Sequence, residues 1–147
     1  MTPDTVRLCL GEPAIGIAGW RLTHQQATAV QPIVVAGDKG IARYADQALL
    51  ASMAQDDVLK ISLRRLFLEP LERESDGGRR LKATLRAYFA AQGQVSSAAA
   101  ALGVSRKTVT NHLTKVERRL EQPLTSCTSQ LEAALALDAS KLPGGTH

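Results

Sequence analysis

The segment Gly93–Leu120, GQVSSAAAALGVSRKTVTNHLTKVERRL, decides the fold, because it has the pattern of two short helices joined by a tight turn. Ser96 is predicted to cap the first helix, since a serine hydroxyl can accept from amides that the first helical turn leaves unpaired. The alanines that follow favour helix and allow another helix to cross closely. Gly103 is predicted to end this helix, because the residue after a helix often needs a positive φ.

The second helix of this segment is predicted to begin after a cap at Ser105. Apolar residues recur along it at i, i+4, i+7 and i+11, which places a stripe on the side facing the first helix: Val109, Leu113, Val116 and Leu120. The remaining faces are basic or hydrogen-bonding. This combination is the pattern of a helix-turn-helix, whose second helix enters the major groove of DNA. An ordinary helical hairpin with a solvated charged face is the alternative.

Positions on the second helix predict the role of each candidate DNA-binding residue. Short hydrogen-bonding side chains suit base edges, and these are Thr108, Thr110, Asn111 and Thr114. Long cations bind phosphate, and an arginine can also recognise guanine; these are Arg106, Lys107, Lys115 and Arg118. Ser96 and Ser105 mark helix N-termini where a phosphate could lie. For each residue the alternative is a solvated surface role. His112 is interpreted as a boundary residue, or as a phosphate contact when charged.

The charge distribution agrees with a polyanionic partner. Residues 79–120 contain nine basic and one acidic residue, giving +8, whereas residues 1–78 contain eight basic and ten acidic residues, giving −2. Residues 121–147 contain one basic and three acidic residues, again giving −2. The positive charge therefore lies in the segment that contains the predicted helix-turn-helix, and phosphate neutralisation supplies most non-specific affinity for DNA.

Other classes of protein are disfavoured by the same sequence. No apolar run is long enough to span a membrane, and the N-terminus lacks a basic region before an apolar stretch. Cys9 and Cys127 are far apart, and no histidines or cysteines have the spacing of metal ligands. No nucleophile, base and orienting group can be assembled from local spacing. We therefore expect a cytoplasmic protein without enzymatic activity, cofactor or metal.

The N-terminal part is predicted to mix strand and helix. Strands are predicted over Thr5–Leu10 and Ile41–Tyr44, separated by a glycine- and proline-containing loop, a helix from Trp20 and a turn at residues 37–40. Pro32 is predicted to break or kink that helix. Beyond these elements, Asp46 is predicted to cap one helix.

The chain on either side of residue 76 is predicted to be helical. Asp56 and Asp57 are predicted to start a further helix, and the acidic stretch Glu72–Gly78 is predicted to be a flexible connection. Arg79–Gln92 is predicted to form the hydrophobic floor of the basic unit through four residues: Leu81, Leu85, Tyr88 and Phe89. After Pro123, Thr125 or Ser126 is predicted to cap a last helix.

A longer run of residues resembles a known family. The run 81–124, LKATLRAYFAAQGQVSSAAAALGVSRKTVTNHLTKVERRLEQPL, continuing to QLEAALAL at 130–137, resembles the C-terminal helix-turn-helix domain of PucR/CdaR-type bacterial transcription regulators, a Fis-like helical domain. The residues that carry the resemblance are Leu85, Tyr88, Gly93, Ala98–Leu102, Val104, Arg106, Thr108, Val109, Leu113, Val116, Glu117, Leu120, Leu124 and Leu131–Leu137. Two positions depart from the family pattern, which usually has an aromatic residue at Asn111 and a basic residue at His112. Asn111 could therefore contact an adenine edge or be a plain surface residue.

Upstream, three runs resemble the back half of the GGDEF-like domain that precedes this helical domain in many members: residues 11–30, 41–54 and 63–75. The resemblance implies a mainly α chain, with a small α+β, partial GGDEF-like region over 1–76, the helix-turn-helix domain over 77–140 and a flexible tail over 141–147. It would also imply a fragment or truncated member. No GGDEF or GGEEF string occurs in the sequence, and the pair Gly77-Gly78 is followed by two arginines rather than by acidic residues. The absence of this string argues against cyclase-type catalysis.

The expected partners are double-stranded DNA and a second copy of the chain, because one short reading helix covers few base pairs and paired half-sites double the contacts. The apolar region from Trp20 to Phe67 is the expected location of the dimer interface. No small-molecule effector is indicated by the sequence. The alternative function is a protein-interaction module whose basic helical unit docks on an acidic partner without binding DNA.

Overall fold

The computed structural model describes residues 6–36 and 40–139. The elements, in chain order, are β1 (Leu8–Leu10), α1 (Gly16–Ala36), β2 (Ile41–Arg43), α2 (Tyr44–Gln55), α3 (Asp57–Leu63), a π-helical turn (Arg64–Leu68), α4 (Glu69–Glu72), α5 (Arg79–Ala90), α6 (Val95–Leu102), α7 (Arg106–Leu120) and α8 (Leu124–Ala139). The predicted mainly helical class is confirmed. These elements form two compact units, Ile61–Leu135 and the remainder. The boundary near residue 76 and the GGDEF-like assignment stay predictions.

In the unit containing residues up to Lys60, a single helix connects two parallel strands. β1 pairs with β2, with Leu8 opposite Ile41, and α1 packs on both strands and on α2. Both predicted strands are present, although shorter than expected. Parallel strands need such a crossover connection, because a short hairpin turn can join only antiparallel neighbours. The Arg7 guanidinium donates to the carbonyls of Val34 and Val35, which ties the end of α1 back to β1.

Helix α1 corrects the predicted loop, which is shorter than expected, and it rules out a break at Pro32, one of the two alternatives predicted there; a kink stays a prediction. It begins at Gly16 rather than Trp20, and it continues through Pro32 to Ala36. Val30 and Val34 are 0% and 2% exposed on either side of the proline. Burial of both valines therefore outweighs the loss of one backbone hydrogen bond. Most of the turn predicted at residues 37–40 lies outside the described residues.

Two predicted helix starts have different outcomes. The carboxylate of Asp56 accepts from the backbone N–H of Leu59 at 2.9 Å, which confirms a helix start there. The predicted cap at Asp46 is wrong, because α2 already begins at Tyr44, after Arg43, and Asp46 lies inside its first turn. A carboxylate there still stabilises the positive end of the helix.

In the unit Ile61–Leu135, α5 forms the floor on which α6 and α7 pack. Leu81 and Leu85 are 3% and 0% exposed, whereas Tyr88 and Phe89 are half-buried at the end of the same face. The sequence prediction of the floor is confirmed. The turn into α5 requires glycine at Gly78, where φ is +76° and a β-carbon would lie 2.7 Å from the Leu71 carbonyl oxygen.

The start of α8 corrects the predicted cap at Thr125 or Ser126. The helical segment begins at Leu124, so both residues lie in a first turn that ends in a kink at Cys127, where φ is −131° and ψ is 17°. The Leu124 N–H instead donates to the Glu117 carboxylate at 2.9 Å, so a side chain of the preceding helix satisfies that amide. Within this helix burial raises the pKa of the Cys127 thiol, which is 2% exposed. The tail that begins at residue 140 lies outside the described part of the chain.

Candidate nucleic-acid interface

A tight turn at Gly103 joins α6 to α7, as the sequence predicts. Gly103 has φ +66°, its N–H donates to the Ala100 carbonyl at 3.2 Å, and the Val104 N–H donates to the Ala99 carbonyl at 3.0 Å. This pair of bonds is the Schellman arrangement, which satisfies carbonyls that the end of a helix leaves unpaired. Ala98 and Ala99 are 0% and 4% exposed, so α6 meets its neighbours through small side chains.

The predicted cap at Ser105 is confirmed and the predicted cap at Ser96 is wrong. Ser105 has extended backbone angles, and its hydroxyl accepts from the Thr108 N–H at 3.1 Å. In contrast, α6 begins at Val95 after Gln94, so Ser96 lies within its first turn. Ser96 remains exposed beside backbone amides that have no acceptor inside the helix. Its predicted phosphate contact therefore rests on the helix terminus and not on capping.

The two faces of α7 are separated as the sequence predicts. Val109, Leu113 and Val116 are 0%, 9% and 0% exposed and form the packed face. Four residues on the opposite side recur at the helical spacing i, i+4, i+7 and i+11 and are all exposed, and we call them the outer row: Lys107, Asn111, Thr114 and Arg118. Arg106 and Thr110 flank this row on one side.

Some polar side chains of α7 already make hydrogen bonds within the protein, and others are free to bind a ligand. The Thr110 hydroxyl donates to the Arg106 carbonyl at 3.1 Å, and the Thr108 hydroxyl is bonded to Ser105 Oγ at 2.9 Å. Within the described residues, Asn111 and Thr114 make no side-chain hydrogen bond. The two outer-row polar side chains therefore keep their full capacity to recognise a base edge. Thr110 retains only acceptor capacity, and the Thr108 hydroxyl shares one hydrogen bond with Ser105, in which either oxygen can be the donor.

Glu74, which precedes α5, binds two cations of α7. Its carboxylate accepts from Lys115 and Arg119, whose side chains are 47% and 40% exposed, whereas the Glu74 side chain is 13% exposed. The hydrogen bond from Lys115 lowers the pKa of Glu74 below its ordinary value, and Arg119 acts in the same direction. Sequence reasoning identified Lys115 but missed Arg119 and Glu74. The spacing of Lys115 and Arg119 at i and i+4 was the available signal.

The predicted flexible connection at Glu72–Gly78 is wrong, because each of its acidic residues is bonded to a neighbouring segment. The Glu72 carboxylate accepts from Arg64 and from Lys82 at 2.7 and 2.8 Å. The Asp76 carboxylate accepts from the N–H groups of Gly78 and Arg80 at the start of α5. We call Glu72, Glu74 and Asp76 the acidic comb.

His112 joins α7 to α5 through a half-buried hydrogen bond. Its Nδ1 lies 2.8 Å from the hydroxyl of Thr84, which is 2% exposed. Because the Thr84 hydroxyl proton is donated to the Arg80 carbonyl at 2.9 Å, the His112 ring is the donor in this pair. The geometry supports the boundary role of His112. Thr84 was missed, although it lies three residues after the buried Leu81.

Positive charge strongly predominates on α5 and α7. α5 contains four basic and no acidic residues, and α7 contains five basic residues and one glutamate. In the part of the chain that the structure describes, Arg106, Lys107 and Arg118 have no carboxylate partner. Uncompensated cations beside exposed hydrogen-bonding groups can bind a phosphate backbone and contact base edges at the same time.

The described residues contain neither a membrane-spanning helix nor a metal-binding cluster. None of their helices is long and apolar enough to cross a membrane. No group of three or more histidine, cysteine, aspartate or glutamate side chains within 6–36 and 40–139 is placed to hold a metal ion.

Comparison with known proteins gives a family match that covers the helices just described. No curated protein and no solved structure matches the chain. Residues 81–139, from the start of the α5 floor to the end of α8, match the family model described as the PucR C-terminal helix-turn-helix domain, and this match supports a PucR-type helix-turn-helix regulator.

Proposed function

We propose that this protein is a sequence-specific DNA-binding transcription regulator that reads the major groove with α7, the helix that follows Ser105. The observation that carries the proposal is the outer row, in which two polar side chains lie between two cations, all four exposed and without a side-chain partner among the described residues. The match over residues 81–139 supports DNA-binding transcription regulation as the general activity. Helix-turn-helix regulator domains are typically non-enzymatic, and the proposal includes no catalytic step.

The dimensions of α7 suit a groove-reading helix. The outer row spans eleven residue steps, from Lys107 to Arg118, which at about 1.5 Å per step is about 16 Å of helix. At about 3.4 Å per base step, this length matches about five base steps. Asn111 and Thr114 occupy the middle of the row and would contact base edges. Lys107 and Arg118 occupy its ends, where the phosphate backbones border the groove.

The remaining candidate residues have supporting roles in this proposal. Arg106, beside the row, would bind phosphate, and the N-termini of α6 and α7 at Ser96 and Ser105 would each direct amides towards a phosphate. Thr110 would act only as an acceptor, because its hydroxyl donates to the Arg106 carbonyl, and Thr108 would be a weaker contact, because its hydroxyl is already bonded to the Ser105 cap.

We also propose a homodimer, because a five-step footprint is too short for selective binding and two half-sites double it. The outer face of the two-stranded sheet supports an interface in the N-terminal part. Leu8, Leu10 and Ile41 are 46%, 37% and 60% exposed there, although parallel sheets are usually covered on both faces. Light scattering should show a dimer, and a monomer at every accessible concentration would refute this proposal.

The decisive test of DNA binding is fluorescence anisotropy with a random-sequence duplex over a salt series. The test variant is Lys107→Ala/Arg118→Ala, and the control is Arg21→Ala/Arg65→Ala, which removes the same charge from exposed positions off α5–α7. Parent and control should weaken log-linearly with salt. The outer-row variant should have a slope shallower by about 1.8, since each lost phosphate contact removes about 0.9.

Failure of the folded parent to bind at low salt would overturn the DNA proposal and favour the interaction-module alternative. Equal salt slopes for the outer-row variant and the control would show that the outer-row cations do not contact phosphate. A base-specific role for Asn111 would be tested next, by selecting the preferred duplex and comparing Asn111→Ala with the parent on preferred and random duplexes.

A further inference from the structure

Five cations lie on α7, but they do not have equal freedom to meet a ligand. Lys115 and Arg119 are one helical turn apart on the flank of the helix that faces the acidic comb, and both donate to Glu74. Lys107 and Arg118, in the outer row, have no acidic partner among the described residues. A single carboxylate therefore divides the cations of α7 into an engaged pair and an available set.

The backbone around Glu74 holds this carboxylate in place. The Glu74 N–H donates to the Leu71 carbonyl at 3.3 Å, and the Gly77 N–H donates to the Glu74 carbonyl at 2.9 Å. On either side of Glu74 in sequence, the other two carboxylates of the comb are bonded as well. Glu74 is thus positioned before any ligand arrives, and less conformational freedom is lost when it pairs with Lys115 and Arg119.

We propose that Glu74 is a specificity-determining residue that withholds Lys115 and Arg119 from DNA phosphates. The inference rests on the DNA-binding function proposed above, and it changes the role of Lys115 from a phosphate contact to a withheld cation. Phosphate contacts raise affinity for every sequence equally, whereas base contacts discriminate between sequences. A regulator that withholds two of its five α7 cations lowers its non-specific affinity and leaves the base contacts of the outer row unchanged.

The size of the effect follows from counterion release. If removal of the Glu74 charge allows both cations to reach phosphate, the salt slope becomes steeper by about 1.8, since each contact contributes about 0.9. Between about 50 and about 200 mM salt, the variant should then lose about tenfold more affinity than the parent loses, while it binds random duplex more tightly at the lower salt concentration.

The experiment compares Glu74→Gln with Glu69→Gln in the full chain, using anisotropy on a random-sequence duplex across the salt series. Both substitutions remove one negative charge and keep the side-chain size. Glu69 is exposed at the start of α4 and forms no ion pair with α7 among the described residues. We expect tighter binding and a steeper slope for Glu74→Gln only. Adding Lys115→Ala/Arg119→Ala to Glu74→Gln should remove that gain.

A measurement in the unmodified Glu74 background tests the same inference without depending on how Glu74→Gln folds. There, Lys115→Ala/Arg119→Ala should leave the salt slope of the parent nearly unchanged, although it removes two positive charges from α7. A slope that falls as far as it does for the outer-row variant would show that the engaged pair contacts phosphate in the parent, and would overturn the inference.

The remaining outcomes separate the inference from the proposed function. If the parent binds duplex but folded Glu74→Gln has an unchanged or shallower slope, the inference is overturned and the DNA-binding function stands. If only Glu74→Gln binds, Glu74 blocks binding altogether, so the specificity role is overturned together with DNA binding by the parent. If neither binds at low salt, both proposals are overturned.

Discussion

The helix ends of the DNA-binding unit provide a quantitative test of its turn geometry. Residues at the C-terminal ends of α5, α6 and α7 all have left-handed backbone angles: Gln92 has φ +51°, Gly103 has φ +66° and Glu121 has φ +56°. Glycine takes the first left-handed position only at the α6 end, where the helix-turn-helix bends; at α5 the glycine Gly93, with φ +80°, comes one residue later. Substitution of Gly103 by alanine should therefore destabilise the unit, and substitution of Gln92 by glycine should stabilise it.

The magnitude for Gly103→Ala comes from backbone strain alone. A β-carbon at this position would meet no atom within 4 Å, so no steric clash contributes. An L-residue in the left-handed region costs about 1–2 kcal/mol. Alanine regains about 0.4–1 kcal/mol, because it restricts the unfolded chain more than glycine does. The net loss is about 1 kcal/mol. For Gln92→Gly the same two terms reverse sign, which predicts a gain of similar size.

Urea denaturation of the full chain, followed by circular dichroism at the helix band, measures both changes. Gly78→Ala is the matched positive control, because it combines the same strain with an approach of 2.7 Å to the Leu71 carbonyl oxygen and should cost more than Gly103→Ala. A Gly103→Ala variant as stable as the parent, or a Gln92→Gly variant less stable than the parent, would refute the assignment of left-handed helix ends.

Two further predictions concern the side chains that hold α5 and α7. Replacing Asp76 with alanine should lower the urea midpoint at neutral pH, because the carboxylate accepts from the backbone N–H of Arg80, and this bond lowers the pKa of Asp76 below its ordinary value. A lowered pKa means that the stabilisation is fully present above the pKa of the unfolded chain and is lost as pH falls below about 4. The difference between parent and variant should therefore shrink in that range, and a difference that is constant with pH would contradict the charged-cap explanation. Replacing Thr84 with valine should cost about 1–3 kcal/mol in urea denaturation, because the half-buried His112 ring loses its partner. Thr110→Val is its control, since the Thr110 hydroxyl is exposed and bonded only within its own helix; equal losses for the two variants would argue against a special role for the pair.

The helix-turn-helix could be predicted from the sequence because its determinants are local. The glycine at position 103, the cap at Ser105 and the apolar spacing of α7 all act within a few residues of where they stand. The prediction of a cap at Ser96 was wrong by a small local shift. Helix α6 already begins at Val95, so its N-cap is Gln94, two residues before Ser96. Helix ends are the least certain part of any local pattern.

The side-chain pairings of the candidate site could not be predicted, because they join residues that are distant in sequence. Glu74 is 41 and 45 residues from its partners Lys115 and Arg119, and Thr84 is 28 residues from His112. Periodicity can show which face of a helix is polar. It cannot show which segment lies against that face, so Lys115 was predicted as a free phosphate ligand.

Packing also overrode local preference in the N-terminal part. Proline disfavours a helix interior, yet α1 passes through Pro32 because the helix buries Val30 and Val34 together. Local preference is also overridden outside the N-terminal part, where Gln92 and Glu121 adopt left-handed backbone angles although neither is a glycine. At Pro32 the burial of the two valines compensates for a local cost of about 3 kcal/mol or more, and each non-glycine residue in the left-handed region costs about 1–2 kcal/mol.

The acidic comb explains how two strongly basic helices can pack on one another. α5 and α7 are in contact, and together they contain nine basic residues and one glutamate. Like charges at such a contact oppose packing unless counter-charges lie beside them. Glu72 and Asp76 supply these at α5, and Glu74 supplies one at α7, on the flank nearest to the comb. Among the cations of α7, those without a carboxylate partner in the described residues consequently lie on its outward side, where a phosphate backbone can approach them. Because the stretch of sequence that resembles a linker determines which cations remain available, the salt dependence of DNA binding should be more sensitive to Glu74 than to most residues of α7 itself.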